Sequence, residues 1–452
     1  MPSILANITV PLVGMVDIAI AGHLSSSFGS AALIGGIAVG TMLFDLLYWN
    51  FAFLRTGTGG LTAQAYGASH ATGPILLRAL RIALLSGLAL IAVQWLVVQG
   101  AFLVVKCTPE VRELASQYFY IRIWAAPATL SLFAFKGWFI GMQDSVRPMT
   151  ADLLVNGINI LASFVLALGI PGLFEGLGFP GIALGTVIAQ WSGFTYCVFS
   201  ASRRYFVHGF GLFGGQTGKN GNLATENGGF GGQSDEKGSF FNLNRDLFLR
   251  SVGMIAVYIG FTVISARFGD MMLAVSTILM KLLMIFSYFT DGFAYAGEAL
   301  TGRFIGAGSE EGVRSTVRQT FAWSGGVALL FMALYGLGGT WLFSLMTSDG
   351  AVVDAGREFI PWLLLMPLVG CPAFVWDGIF IGATAGKHLR NSTLICALGF
   401  FAVWFIGRLI APESSPETAI HILMGAYFTH LVIRSVYLSL TFSSISTPQP
   451  AE

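Results

Sequence analysis

Charge is scarce in this chain of 452 residues: Asp, Glu, Lys and Arg make up 10% of it, against 55% hydrophobic residues. A soluble domain cannot bury so much apolar side chain against itself, so a water-exposed globule is excluded. The few charges are balanced, 24 basic against 23 acidic, which removes the electrostatic footprint of a nucleic-acid-binding protein. Cysteine is rarer still. Cys107, Cys197, Cys371 and Cys396 stand at spacings that fit neither a disulfide framework nor a metal cluster. The sequence also lacks a GxxxxGK[ST] phosphate loop, a metal-ligand cluster and a nucleophile elbow. ATP-driven transport, metal catalysis and hydrolysis are therefore without their usual parts, and neither a cofactor nor an enzymatic activity is expected.

What the chain has in abundance is apolar sequence, with a mean hydropathy of +0.73. A helix needs about 20 mostly apolar residues to cross a hydrocarbon core about 30 Å thick. Runs of that kind lie near 2–22, 30–56, 75–99, 114–140, 147–169 and 180–201, and again near 247–268, 272–300, 317–346, 355–385, 391–411 and 419–442. The 57 glycines favour helices packed closely through small residues over a barrel. The expected fold class is an all-α membrane protein, with about twelve transmembrane helices in two sets of six. Residues 1–202 form the N-lobe, 203–246 a Gly-rich linker, 247–445 the C-lobe and 446–452 a tail.

A weak internal repeat supports the division. Sliding the chain by 239 positions pairs Leu61, Thr62, Gly67, Ala68 and Gly73 with Leu300, Thr301, Gly306, Ala307 and Gly312, and repeated halves are a signature of transporters. Arg78, Arg81, Arg147, Arg203, Arg204, Arg245, Arg250, Arg303, Arg314, Arg318, Lys387 and Arg390 cluster at alternate connections, while the opposite side has few, such as Lys106, Arg112, Arg267 and Arg357. The positive-inside rule then places the linker and both termini in the cytoplasm of a multi-pass inner-membrane protein. The start lacks the basic segment of a cleavable signal peptide. The first span begins abruptly at Met1-Pro2, so an upstream start adding roughly ten to twenty residues is expected from the length a span requires.

Ionisable groups within a span cost about 2.5–3.5 kcal/mol each on insertion scales, so each is a functional candidate. Asp17 stands inside the first span. The fifth carries Asp152, Asn156, Asn159 and Ser163 at spacings of four, three and four, which share one helix face. The sixth carries Thr186 and Gln190, four apart. Asp17, Ser163 and Thr186 fall at similar depth, where a carboxylate, an amide and hydroxyls suit H⁺ or Na⁺; hydrogen bonding between helices is the competing reading for Ser163, Thr186 and Asn159. The repeat places Ala256 opposite Asp17, so the C-lobe has no matching acid. It has instead Lys281 near mid-span, where capping of carbonyls or pairing with an acid is the leading reading. Asp291, Glu298 and Arg55 read as gate or helix-end residues, His430 and Arg434 as a helix-face pair. Arg122, Lys136, Asp377 and Arg408 carry no assigned role.

Three segments carry a resemblance: Pro11-Leu through Asp17, Phe53-Leu-Arg-Thr-Gly-Thr-Gly-Gly-Leu-Thr-Ala-Gln-Ala-Tyr-Gly67, and Ser287-Tyr-Phe-Thr-Asp-Gly-Phe-Ala-Tyr-Ala-Gly-Glu-Ala-Leu300. In these the sequence resembles the multidrug and toxic compound extrusion (MATE) family, in its DinF-like branch. The resemblance implies two pseudo-symmetric six-helix lobes around a central cavity, alternating access, and export of small amphipathic or cationic organic compounds, as a monomer in the bilayer, in exchange for H⁺ or Na⁺. It implies a cation site of Asp17, Asn159 and Thr186, with Ser163 where many relatives carry a second Asp. It also implies a cavity-lining role for Tyr120; Asn156, Gln190 and Lys281 are further cavity candidates. A lipid-linked-precursor flippase of the same superfamily is the alternative.

Overall fold

The computed structural model describes residues 13–22, 24, 29–105, 107–170, 172, 174–208, 233–347, 349–412 and 415–446. Eleven helical segments among them are long and apolar enough to cross a membrane, and Val13–Gly22 (α1) is a shorter apolar helix. The residues before Val13, on which the expected short first span turns, lie outside the described part.

In chain order, α1 is followed by α2 (Ser30–Trp49), α3 (Phe53–Gly67), α4 (Gly73–Ala92), α5 (Gln94–Val104), α6 (Pro109–Arg122), a 3₁₀ turn at Ile123–Ala125, α7 (Ala126–Gly141), α8 (Val146–Leu168) and α9 (Phe179–His208). Two two-residue strands, β1 (Gly169–Ile170) and β2 (Phe174–Glu175), pair antiparallel between α8 and α9. Then come α10 (Gln233–Ser265), α11 (Asp270–Gly306), α12 (Glu310–Met346), α13 (Gly350–Arg357), α14 (Ile360–Gly382), α15 (Gly386–Ile410), α16 (Pro416–Thr441) and the short α17 (Ser443–Ser446). The all-α membrane fold is as expected.

Local chemistry explains where these helices begin. Thr108 and Ser415 accept hydrogen bonds from the backbone N–H groups of Val111 and Thr418, each just before a proline at the first helical position. That proline has no N–H to leave unsatisfied. Ser309 caps α12 in the same way through Gly312.

Two expected boundaries differ. The linker was expected over 203–246, but α9 runs on to His208 and α10 already begins at Gln233. A helix satisfies its own backbone, so it can continue past the membrane wherever no residue forbids it; the Gly-rich stretch 209–232 lies outside the described residues. The second expected span, 30–56, is followed by further helix, since α3 carries it to Gly67 beyond a break at Asn50.

The chain divides into two compact units, one drawn from Met1–Thr62 and His70–Phe230, the other from Ala63–Ser69 and Gly231–Glu452. The closing turns of α3 thus belong with the second unit, and the contact there is reciprocal. A Cβ on Gly67 would lie 1.9 Å from the carbonyl oxygen of Arg303, and one on Gly306 would lie 2.0 Å from that of Gln64. Gly67 and Gly306 are partners in the sequence repeat, as are Gln64 and Arg303. Gln64 Nε2 also donates to the Gly382 carbonyl and to Thr384 Oγ1, both at 3.1 Å.

Because backbone stands against backbone here, neither side can yield to a larger residue. Gly306→Val is expected to lower the melting temperature of the detergent-solubilised protein by several degrees. Gly325→Val, at a position with nothing within 4 Å, is expected to leave it unchanged. Equal melting temperatures for the two variants, measured by fluorescence-detected size exclusion after heating, would contradict this packing.

Candidate functional site

In the first unit α8 packs closely on α9. Gly181, Gly185, Ala189 and Gly193 recur every fourth residue along α9 and make the approach possible. A Cβ on Gly181 would meet the Leu166 carbonyl at 2.5 Å, one on Gly185 the Ser163 nitrogen at 2.5 Å, and one on Gly193 the Val155 side chain at 2.3 Å. Small residues at this spacing let membrane helices pack backbone to backbone.

The polar stripe of α8 is thereby pressed onto α9. Asn159 Nδ2 donates to Thr186 Oγ1 at 2.9 Å, and Ser163 Oγ donates to the Ile182 carbonyl at 3.3 Å. The Ser163 hydroxyl also stands close enough to the Asp17 carboxylate of α1 to act on its charge, and can turn its proton to it in place of the Ile182 carbonyl. Asp17 is 5% exposed, and Asn159, Ser163 and Thr186 are buried with it. Two acceptors of this group, Asp17 Oδ1 and Asn159 Oδ1, have no hydrogen-bond partner among the described residues. An acceptor buried without a donor costs about 1–3 kcal/mol, so these oxygens are poised for a proton or a cation.

Asp152, at the start of the same stripe, is taken by an ion pair with Lys136 of α7. Tyr120 and Gln190 are half-buried and form no hydrogen bond to the Asp17 group among the described residues. Asn156 is half-buried one turn before Asn159.

The sequence reading left out Arg122, and the structure puts it next to this group. At the end of α6 its Nη1 donates to Tyr118 Oη at 3.0 Å, and its guanidinium lies 4.8 Å from the Phe44 ring and 5.5 Å from the Tyr118 ring. Its charge reaches Asp17, Asp45 and Tyr48. A guanidinium over aromatic faces gains about 2 kcal/mol or more once desolvated. The first unit thus holds a permanent cation beside its buried acid.

Comparison with known proteins places this arrangement in a family. The MatE profile matches residues 2–165 and 247–415. The chain belongs to the MatE family. It is 33% identical over 402 residues to DNA damage-inducible protein F of Escherichia coli (strain K12), covering 88% of this chain and 83% of that protein. Protein DETOXIFICATION 44, chloroplastic, of Arabidopsis thaliana is 21% identical over 455 residues, covering 96% and 79%. A solved structure described as the outward-facing conformation of a multidrug resistance MATE family transporter of the MOP superfamily superposes with a TM-score of 0.77 at 17% identity, over 98% of this chain and 94% of that one.

The second unit of this MatE chain treats its membrane charges differently. Asp377 on α14 receives Arg434 of α16 through Nε at 3.0 Å and again through Nη2, and Arg250 of α10 at 2.5 Å. The charge of Asp291 on α11 also acts on Arg434. Arg434 is therefore not paired with His430, as the four-residue spacing suggested. His430 is 4% exposed, and neither ring nitrogen has a partner among the described residues. The helix geometry puts the two on one face, but a carboxylate outcompetes an imidazole for a guanidinium because it carries full charge.

Lys281 also departs from expectation. It is exposed on α11 and forms no ion pair or hydrogen bond among the described residues, so it neither caps a carbonyl nor meets an acid. The acids of its unit described above, Asp291 and Asp377, are drawn to arginines instead.

Breaking a buried ion pair from one side costs about 3–5 kcal/mol, because the surviving charge stays buried. Asp377→Ala is therefore expected to destabilise the protein strongly, and Asp377→Ala combined with Arg434→Met to recover much of the loss. Thermal stability of the single and double variants in the same detergent checks this; a single variant as stable as the parent would show that the pair is dispensable.

Proposed function

We propose that the chain is a secondary-active exporter of the plasma (inner) membrane, moving small amphipathic organic compounds outward in exchange for H⁺ carried on Asp17. The observation that carries the reading is a nearly inaccessible carboxylate on a membrane helix that has one oxygen unpartnered, with Ser163, Asn159 and Thr186 around it. The membership in the MatE family supports the transporter class. The flippase alternative finds no support among these relatives and is not pursued.

The choice of H⁺ over Na⁺ rests on position 163 and on ligand number. Position 163 offers a hydroxyl where a second carboxylate would add a full negative charge, and a bare cation needs several oxygen ligands while a proton needs one. The Arg122 guanidinium favours the charged carboxylate and so opposes any added cation, H⁺ and Na⁺ alike; it helps release the ion and does not choose it. In the cycle we infer, protonation and deprotonation of Asp17 alternate with substrate binding, and Ser163 Oγ and Asn159 can hydrogen-bond either form.

Reconstituted protein, tested for efflux of ethidium and of pyrenebutanoate with ΔpH and Na⁺ gradients imposed separately, checks the proposal. Efflux is expected to follow ΔpH. Asp17→Asn is expected to fall to the protein-free rate while inserting normally, because the amide keeps the volume and loses the titratable oxygen. Ser163→Asp is expected to introduce a response to Na⁺. Efflux by the parent that follows Na⁺ alone would overturn the choice of ion, and full gradient-driven efflux by Asp17→Asn would remove Asp17 from the mechanism.

A further inference from the structure

Two neighbouring helices of the second unit present exposed faces of different kinds. α12 exposes Trp323, Leu330, Leu334, Leu337 and Trp341, an apolar face fit for lipid tails. α11 buries Val275, Leu279, Leu282 and Phe286 on one side and exposes Thr277, Lys281 and Ile285 on the other. Tyr288 and Tyr295, half-buried, continue that side at intervals of seven residues. A hydroxyl, an ammonium and two phenols in line make a poor lipid surface.

Lys281 stands eleven residues into α11, roughly 16 Å along its axis at 1.5 Å per residue. Facing hydrocarbon there would cost about 2.5–3.5 kcal/mol on insertion scales, more than a side chain with a free alternative bears. Its own unit provides no counter-ion among the described residues: Asp377 is held by Arg250 and Arg434, and Asp291 is ten residues further along the same helix and acts on Arg434. With no ion pair or hydrogen bond to Lys281 among the described residues, the ammonium is open to a counter-ion from outside the chain. The same face offers a hydroxyl one turn away at Thr277, and tyrosine rings bind flat apolar bodies with their hydroxyls left to water.

We propose that the Thr277, Lys281, Tyr288 and Tyr295 face of α11 is a recognition site for an amphipathic organic anion, its acidic group on Lys281 and its apolar body on the tyrosines. This rests on the export reading and narrows its cargo to compounds bearing a carboxylate, sulfonate or phosphate. It is tested by binding alone, without any gradient, so that failure of ion coupling and failure of this site give different results.

The probes share one aromatic body and differ in head group: pyrenebutanoate, its primary amide and a pyrenebutyl trimethylammonium. Binding is read by tryptophan-to-pyrene energy transfer in phosphatidylcholine nanodiscs, with empty nanodiscs as background. The full chain is expected to hold the carboxylate about tenfold more tightly than the amide, a margin within reach of one screened ion pair. Lys281→Gln is expected to erase that preference and Lys281→Arg to keep it. An unchanged preference in Lys281→Gln, or tighter binding of the ammonium probe by the parent, would overturn the proposal. Repeating the titration with phosphatidylglycerol in the nanodiscs separates the two sources of an acidic group. Unaltered carboxylate affinity supports a free organic anion, while loss of affinity in the parent alone would assign the ammonium to lipid head groups and overturn it.

Discussion

Hydrocarbon offers no hydrogen bonds and little dielectric screening, so every charge that this chain carries into its spans must be answered by the chain, by water or by a ligand. That constraint sorts the membrane charges into three fates. Asp377, Arg250 and Arg434 answer one another across three helices. Asp17 is answered only in part, by a hydroxyl and by a guanidinium whose strongest contacts are aromatic. Lys281 is answered by nothing among the described residues. A group whose pairing is complete contributes cohesion, and a group whose pairing is incomplete retains free energy to spend on something that comes and goes.

The contrast between the two carboxylates shows why burial alone does not identify a working acid. Asp17 and Asp377 are both buried. Two guanidiniums are in contact with Asp377, so its charge is answered within the protein. One oxygen of Asp17 has no partner among the described residues, and the neighbouring positive charge is spread over the Phe44 and Tyr118 faces rather than locked onto the carboxylate. Protonation there exchanges one tolerable arrangement for another, which is the property a coupling site needs.

How far the sequence revealed this follows from the range of each interaction. The spans were legible because a run of apolar residues is local, and the stripe of Asn156, Asn159 and Ser163 because helical spacing is local. Ser163 and Thr186 could be set at one depth by counting from Gly169 and Pro180. Contacts between distant segments left no such trace. Arg122 lies more than one hundred residues from Asp17, and Arg250 is 127 residues from Asp377, with no spacing rule to join them. The pairing of His430 with Arg434 was read from proximity in sequence and failed because a carboxylate from another helix took the guanidinium. The Gly181, Gly185, Ala189, Gly193 series was visible at four-residue spacing, and it could have pointed to the α8–α9 contact before any coordinates. The ends of α9 and α10 were not legible, since a helix leaving the membrane loses its hydropathy signal while keeping its backbone bonds.

The repeat gives these differences a common frame. Gly67 and Gly306, with Gln64 and Arg303, are repeat partners that meet backbone to backbone within the second unit, so the repeat is kept in the packing. The charges do not keep it. Opposite Asp17 the second half has Ala256, and one of its buried acids, Asp377, is paired with two arginines. On the proposed reading the coupling proton acts at Asp17 and the second half meets the cargo. The unanswered ammonium of Lys281 stands in that half. On this division of labour, ion and cargo need not compete for the same side chains, and their coupling must pass through helix movement rather than through displacement at a shared site.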